Sequence, residues 1–163
     1  EPALGIQPIA TTSTTQNHPL GTTVRATDPT FGSGTFIYLK GVASTVVGSV
    51  VTYDQRLGLT VLAPITTKNL NQPLAVAMSA NLATGYGWYQ VQGCAVMKKT
   101  AVKVAPTVPL YLSGTAGRVM STAASGRQVM NCESSVASAA TVASTVSTVN
   151  CDIAWPFAQG AVV

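Results

Sequence analysis

The sequence has few charged residues. It contains 9 Lys and Arg and 5 Asp and Glu, which together make up 9% of its 163 residues. An ordinary soluble surface is roughly a quarter to a third charged. A soluble helical bundle, which uses Glu, Lys, Leu and Arg heavily, is therefore disfavoured. The surface must be solvated by Thr, Ser, Asn and Gln instead, and such a surface costs little to desolvate. Two interpretations stay open: a subunit of a large permanent assembly, or a polar β domain of the secreted type.

The basic residues are scattered rather than clustered. They run from Arg25 to Arg127 without forming a stripe, so we expect no stable binding to nucleic acid. No apolar run approaches the roughly 18 residues of a transmembrane helix, and no signal peptide opens the chain, so we expect no membrane partner. The length is that of one domain. Because the sequence opens at Glu1 rather than at Met, we expect either proteolytic processing or omission of the first residues.

The sequence is poor in groups that carry acid–base chemistry. His18 is the only histidine, and it lies in a polar segment that would orient a general base badly. The acids are Glu1, Asp28, Asp54, Glu133 and Asp152. Asp28 and Asp54 fit turns, whereas Glu133 and Asp152 approach each other only if their strands pair, and a surface pair is the default interpretation. No glycine-rich phosphate loop is present. We therefore expect no enzyme activity and no cofactor.

Cysteine is also scarce. Cys94, Cys132 and Cys151 are odd in number and widely spaced, with no Cys-x-x-Cys pair. This pattern disfavours a zinc site and a dense disulfide scaffold. We expect no bound metal and three small buried hydrophobic side chains. A disulfide between Cys132 and Cys151, facing each other across paired strands, stays open as an alternative.

Small and β-branched residues dominate the chain. There are 22 Thr, 22 Ala, 21 Val and 13 Ser, which is 78 of 163 residues. Short runs of these residues and aromatics alternate with turn residues, a pattern that predicts strands. We expect an all-β fold, a β-sandwich or β-barrel of about eight or nine short strands. The predicted strands are 36–40, a hairpin at 46–62, 74–78, 86–97, 110–112, 118–121, 128–132 and 148–155, the last ended by Pro156.

Residues 1–35 differ from the rest of the chain. The run from Thr11 to Pro19 is polar and has no apolar period, and residues 32–34 read Gly-Ser-Gly, which is typical of a loop. We interpret residues 1–35 as an extended N-terminal arm and residues 36–163 as the β domain. Such an arm can be disordered in isolation and ordered on a partner, and an ordinary frayed terminus is the alternative. The run 136–147 fits an amphipathic helix on one hand and a strand tip or loop on the other equally well.

The strand predicted at 86–97 has two distinct faces. The apolar face is expected in the core and holds Tyr89, Val91, Gly93, Ala95 and Met97. The polar face is expected toward solvent or a partner and holds Trp88, Gln90, Gln92 and Cys94. Trp88 is either an exposed interface anchor or packed beneath a loop. Gly93 indicates a bulge or a close backbone approach.

Two further placements follow from strand periodicity. Trp155 is expected to pack in the core. Three lysines that follow the strand predicted at 86–97 are expected on a solvated face near a strand end: Lys98, Lys99 and Lys103.

The strand predicted at 86–97, which contains Tyr86, Trp88 and Tyr89, resembles the core of small tailed-phage head proteins. The run 85–93, Gly-Tyr-Gly-Trp-Tyr-Gln-Val-Gln-Gly, is similar to a YGW(F/Y)QVxG pattern in those proteins. Residues 73–78, 109–112, 116–119 and 156–160 look similar too, so the likeness covers roughly residues 36–160 and leaves out the arm. The chain is thus similar to the capsid decoration, or cement, proteins of phage heads.

The resemblance implies a virion structural protein on the outer surface of the capsid. Such proteins are commonly β-rich, bind the shell where capsomers meet and often trimerise, so the implied partners are the major capsid protein and further copies of the chain, with a trimer favoured. No catalytic residue is carried over. We expect the contacts to involve Thr11, Thr12, Thr14, Thr15, His18, Trp88, Gln90 and Gln92. We also expect deletion of residues 1–30 to weaken capsid association while the β domain stays folded. The alternative is a β-sandwich module that binds a carbohydrate or a receptor.

Overall fold

The computed structural model describes residues 7–63, 69–135 and 141–160, and this part of the chain is all β. Its strands are β1 Thr23–Asp28, β2 Gly32–Lys40, β3 Val50–Tyr53, β4 Thr60–Leu62, β5 Leu74–Ala77, β6 Tyr86–Lys98, β7 Pro109–Leu112, β8 Val119–Met120, β9 Gln128–Ser134 and β10 Thr148–Ala158. They form one curled antiparallel sheet, a half-barrel, which confirms the predicted all-β fold of short strands. None of these residues belongs to a helix that could cross a membrane.

The long strand β6 organises the sheet. Gln92 pairs with Thr35 of β2 and with Ala154 of β10, so β2 and β10 lie on opposite edges of β6. Gln90 pairs with β2 and with Val76 of β5, so β5 shares the edge used by β10. The sheet continues in the order β4-β3-β5-β6-β10-β9-β7-β8, and β1 pairs with β2.

Backbone hydrogen bonds between distant strands curl the sheet. The amide of Val50 in β3 donates to the carbonyl oxygen of Gly117, just before β8, at 2.9 Å. Gly117 in turn donates to the oxygen of Ala63 at 3.3 Å, and the amide of Thr100 donates to the oxygen of Val119 in β8 at 3.0 Å. These contacts bring the end of the sheet back to β3 and to the end of β6, so that the curled sheet encloses a core.

The middle of the sheet, at β3 and β5, is buried on both faces. Leu74 and Val76 of β5 belong to a large apolar cluster that also draws on β3 and on β6 to β10. The alternate residues Ala75 and Ala77 belong to a second cluster formed with β2, β3 and the first half of β6. A sheet covered on both sides leaves no strand face of β5 for solvent, which is why its four residues are all apolar.

Gly93 separates the parts of β6 that serve the two clusters. Tyr89 and Val91 lie in the smaller cluster, whereas Ala95 and Met97, which have the same parity, lie in the larger one. Gly93 has a φ of 105°, and a Cβ there would lie 2.6 Å from a backbone oxygen of β2. The predicted bulge or close backbone approach at this glycine is confirmed, because only glycine adopts this conformation at so short a distance without strain.

The chain before residue 36 is part of the fold. Residues 23–28 form β1, which is antiparallel to β2, and β2 itself begins at Gly32. In the turn between them, Asp28 Oδ1 accepts hydrogen bonds from the amides of Thr30 at 2.7 Å and Phe31 at 2.9 Å. Asp28 is therefore a turn residue, as predicted. The predicted boundary between arm and domain at 35/36 falls inside β2, and residues 32–34 are strand rather than loop.

Two expectations about β10 are wrong. Trp155, expected in the core, is 46% exposed. Pro156 does not end the strand, which continues past it through a register shift against β9 between Ile153 and Phe157. A bulge accommodates both features, because it leaves a backbone position unpaired and turns a side chain away from its regular face.

The placement of Lys99 also differs from the expectation. It is fully buried rather than solvated. Its Nζ donates to the carbonyl oxygens of Val102 at 2.7 Å, Ala143 at 3.0 Å and Thr100 at 3.3 Å. Burial lowers the pKa of Lys99 below its ordinary value. The ammonium group thus joins the loop after β6 to residues 141–147, which contain no helix; residues 136–140 of the ambiguous run lie outside the described residues.

Candidate functional site

An aromatic cluster lies on the outer face of β2 and β6. Phe36, Tyr38 and Trp88 form its buried part. The ring centroids of Tyr38 and Trp88 are 5.1 Å apart at an angle of 62°. The ring of His18 lies 5.1 Å from Tyr38 and 5.4 Å from Trp88. Tilted and edge-on ring contacts at these distances are favourable, so His18 packs residues 7–20, here called the N-terminal segment, onto the sheet.

The side chain of Gln7 fastens the N-terminal segment over the cluster. Its Oε1 accepts hydrogen bonds from the hydroxyl of Tyr38 and from Nδ2 of Asn17, both at 2.9 Å. Its Nε2 donates to the carbonyl oxygens of Thr11 at 2.8 Å and Tyr86 at 3.1 Å. Gln7 is buried, and its amide makes all four hydrogen bonds that a glutamine side chain can form.

Backbone contacts extend this attachment. The carbonyl oxygen of Gln7 accepts a hydrogen bond from Nε1 of Trp88 at 2.8 Å, and its amide donates to Nε2 of His18 at 3.3 Å. Ser13 and Tyr86 exchange two backbone hydrogen bonds, at 3.0 and 2.8 Å. The N-terminal segment is therefore ordered on its own domain, a point that the sequence left open.

The polar face predicted for β6 is only partly open. Trp88 is 1% exposed, so the interpretation as an exposed anchor is wrong and the one as a ring packed beneath a loop is right. Gln90 is also buried, and its Nε2 donates to the carbonyl oxygens of Gln92 and Cys94, each at 3.1 Å. Gln92 is exposed, and its Oε1 accepts a hydrogen bond from Thr35 Oγ1 at 2.9 Å.

The four threonines predicted as contacts are all exposed. Thr11, Thr12, Thr14 and Thr15 lie on the outside of the N-terminal segment, and we call them the threonine ridge. The hydroxyl of Thr11 donates to the carbonyl oxygen of Pro8 at 3.0 Å. The ridge is held from below by the Gln7 and His18 contacts, so it presents uncharged hydroxyl and methyl groups on a fixed backbone.

A mostly apolar cavity of about 390 Å³ lies beside the N-terminal segment. Its walls come from Ile9, β1, β2, β6 and the turn before β3, and include Phe31, Phe36, Val47, Met78 and Val96. Phe31 and Val47 are exposed at its rim. We call it the Phe31 pocket. Sequence periodicity missed it because its lining residues come from separate parts of the chain.

The described acidic residues either face each other across paired strands or cap turns. Asp152 of β10 pairs with Glu133 of β9, so the two strands and the two acids come together as the sequence allowed. They line an open hollow of about 380 Å³ with no histidine or lysine among its lining residues. Asp54 Oδ1 caps a turn by accepting hydrogen bonds from the amides of Arg56 and Leu57. Among the described residues no three His, Cys, Asp or Glu side chains are grouped so as to hold a metal ion.

The three cysteines are free thiols. Cys151 is buried in the larger cluster; its hydrogen bond with Cys132 and its burial raise the pKa of its thiol well above the ordinary value. Burial raises the pKa of Cys94 as well. A thiol with a raised pKa is a poor nucleophile at neutral pH. Cys151 is a small buried hydrophobic side chain, as predicted, whereas Cys94 and Cys132 are only partly buried, so the expectation that all three cysteines are buried is wrong for these two.

Comparisons with known proteins identify no family for the chain. No protein-family model matches it, and no curated protein matches it either. A proposal for the function therefore rests on the surfaces of the molecule.

Proposed function

We propose that the protein is a virion structural protein, a capsid decoration protein on the outer surface of a tailed-phage head. The observation that carries the proposal is the kind of surface beside the N-terminal segment. The threonine ridge and the Phe31 pocket join exposed methyl, hydroxyl and ring groups on a chain with 14 charged residues in 163, from 9 basic and 5 acidic. Such a surface suits a permanent contact, because little charge is desolvated on binding.

The mechanism of stabilisation is mechanical. A decoration protein that touches two neighbouring capsomers raises the barrier to their separation against the pressure of the packaged DNA. Weak individual contacts suffice, because copies linked in a homo-oligomer bind with a high effective concentration. We infer a homo-oligomer, with a trimer favoured, and the major capsid protein as partner. The protein acts without catalysis in this proposal.

The proposal assigns different roles to the residues predicted as contacts. The exposed threonines of the ridge and Gln92 touch the shell or a neighbouring copy. Trp88 and His18 support the contact indirectly, because they hold in place the N-terminal segment that carries the threonine ridge. Phe31 at the pocket rim joins the contact surface, a residue that strand periodicity did not point to.

The first test is the copy number of the protein in purified particles, measured by quantitative mass spectrometry against the most abundant shell protein. A fixed stoichiometric ratio is expected, and absence from particles would overturn the proposal.

The full chain should also bind purified heads that lack it. Val47→Asp should weaken that binding at least about tenfold, since a charge enters the contact. Val146→Asp is the matched control, because Val146 is 44% exposed and does not line the Phe31 pocket.

The alternative, a module that binds a carbohydrate or a receptor, is not favoured at Trp88, because that ring is covered by the N-terminal segment. Exposed aromatic rings that bear on carbohydrate binding lie elsewhere on the molecule, at Trp155 and Phe157.

A further inference from the structure

Two aromatic side chains are exposed close together in sequence at the bulge of β10. Trp155 is 46% exposed and Phe157 is 37% exposed. Trp155 has a φ of 51°, in the left-handed region that bulky side chains rarely adopt. Folding gains nothing from placing a strained tryptophan in water, since its burial would be more favourable. Strain of this kind is often kept where it serves a binding function.

A long groove lies beside these rings. It consists of two adjoining hollows of about 530 and 270 Å³ that share Tyr53, Gln55, Gln72 and Pro73. The larger hollow extends along β4, and the smaller one ends at Trp155 and Phe157. We call it the Trp155 groove. Its two compartments, which share one wall, fit an extended ligand better than a compact one.

The backbone fixes the shape of the groove. The amide of Ala158 donates to the carbonyl oxygen of Gln72 at 2.8 Å, and the amide of Tyr53 donates to that of Pro73 at 3.4 Å. Pro73 also forms a bridge with Phe157 of β10. The shared wall is thus attached to β3 on one side and to β10 on the other, so the groove exists before any ligand binds.

The lining is amide-rich and almost uncharged. Gln55 lies in both hollows and bonds to the hydroxyl of Tyr53, and Gln72 and Asn71 are exposed at the wall. The single charged residue among those that line the groove, Asp54, has its Oδ1 engaged by two backbone amides of its own turn. A phosphate or another anion finds no opposite charge here, and a purely apolar ligand would leave the amides unpaired.

We propose that the Trp155 groove binds a neutral oligosaccharide. Sugar rings present C–H faces that pack on aromatic rings, and hydroxyl groups that both donate and accept hydrogen bonds. Glutamine and asparagine amides match those hydroxyls because each offers a donor and an acceptor. The site does not depend on the proposed function, since the threonine ridge and the Phe31 pocket share no lining residue with it.

The test uses the full chain and five neutral probes: cellohexaose, hexa-N-acetylchitohexaose, maltohexaose, mannohexaose and β-1,4-galactohexaose. Binding is measured by calorimetry and by amide chemical shifts. At least one probe should bind and shift the amides of residues 53–55, 71–73 and 155–157. Trp155→Ala should weaken binding at least about tenfold, the loss of one stacked aromatic contact. Phe157→Ala should weaken it less, and the control Phe31→Ala, with 39% exposure at another site, should leave it unchanged.

The outcomes separate the possible occupants of the groove. Failure of all five probes to bind would overturn the proposal, as would binding that Trp155→Ala leaves intact. If sedimentation shows a homo-oligomer that Trp155→Ala dissociates while no sugar binds, the groove is a subunit contact and the proposal is wrong. If Trp155→Ala does not fold, Phe157→Ala and Gln72→Ala decide by the same criteria. Head binding by the folded variants is measured in parallel, so a failure of the decoration role is distinguished from a failure of sugar binding.

Discussion

Replacement of Gln7 by alanine tests whether one side chain holds the N-terminal segment on the domain. The substitution removes the two hydrogen bonds that Gln7 Nε2 donates to Thr11 and Tyr86, and the two that Oε1 accepts from Tyr38 and Asn17. The backbone contact to Trp88 is formally kept. The hydroxyl of Tyr38, which has no exposed surface, then loses its acceptor unless the segment moves and admits water.

The magnitude follows from these four hydrogen bonds. Each hydrogen bond contributes about 0.5–1.5 kcal/mol net, so we expect the docking free energy of the N-terminal segment to fall by about 2–6 kcal/mol. Hydrogen exchange through local opening should speed up by about 30- to 20,000-fold, since each 1.4 kcal/mol is a factor of ten. The loss in global stability should be smaller, because the rest of the sheet does not depend on Gln7.

Hydrogen exchange of the Ser13 and Tyr86 amides is the assay, since these two amides donate to each other's carbonyl oxygens. The fluorescence of Trp88 gives a second readout in a Trp155→Phe background, and it should shift to longer wavelength as the ring meets water. Gln16→Ala is the control, because that amide makes one exposed hydrogen bond in the same segment. Unchanged exchange at Ser13 together with unchanged Trp88 emission would refute the assignment of the segment's docking to Gln7.

Three further results are expected from thermal and denaturant unfolding. Lys99→Met should destabilise the fold by about 2–4 kcal/mol, because three carbonyl oxygens around the buried Lys99 lose their donor, while Lys103→Met at an exposed position should have little effect. Gly93→Ala should cost about 1–3 kcal/mol or more from its positive φ and short contact, whereas Gly114→Ala, where a Cβ meets nothing within 4 Å, should be tolerated. Stability should fall as pH rises above about 9, because the raised pKa of the Cys151 thiol lets the unfolded chain release its proton first; Cys151→Ser should make that fall shallower.

Strand positions and turns could be predicted from the sequence because they depend on neighbouring residues. Alternation of larger apolar residues with alanine marked β5, alternation of an apolar and a polar face marked β6, and the hairpin of β3 and β4 followed from the turn around Asp54. Gly93 indicated a bulge because a glycine on an apolar strand face contributes no side chain to the core. These signals are local, so a single stretch of sequence contains them.

Burial could not be predicted in the same way, because it depends on which layers cover each face. A period of two assigns one face of β6 to solvent, yet the N-terminal segment covers Trp88 and the curl of the sheet covers the other side. The same period places Lys99 in solvent, where a lysine usually lies, but the carbonyl oxygens that satisfy it come from residues up to 44 positions away. Trp155 is exposed because of a register shift between Ile153 and Phe157, and that shift depends on how β10 pairs with β9.

Deletion of residues 1–30 removes part of the fold as well as the residues predicted to contact the capsid. We expect such a deletion to weaken capsid association, but it would also remove β1 and the Gln7 contacts, so the domain would not simply stay folded. Trp88 and Tyr38, both nearly without exposed surface, would then face water, and the truncated chain would lose stability and gain an aggregation-prone patch. Loss of head binding by that truncation would thus report unfolding as readily as a lost contact. Substitutions on the threonine ridge, such as Thr12→Asp or Thr14→Asp, change the exposed surface while Gln7 and His18 keep the segment in place, so they separate the contact itself from the support beneath it.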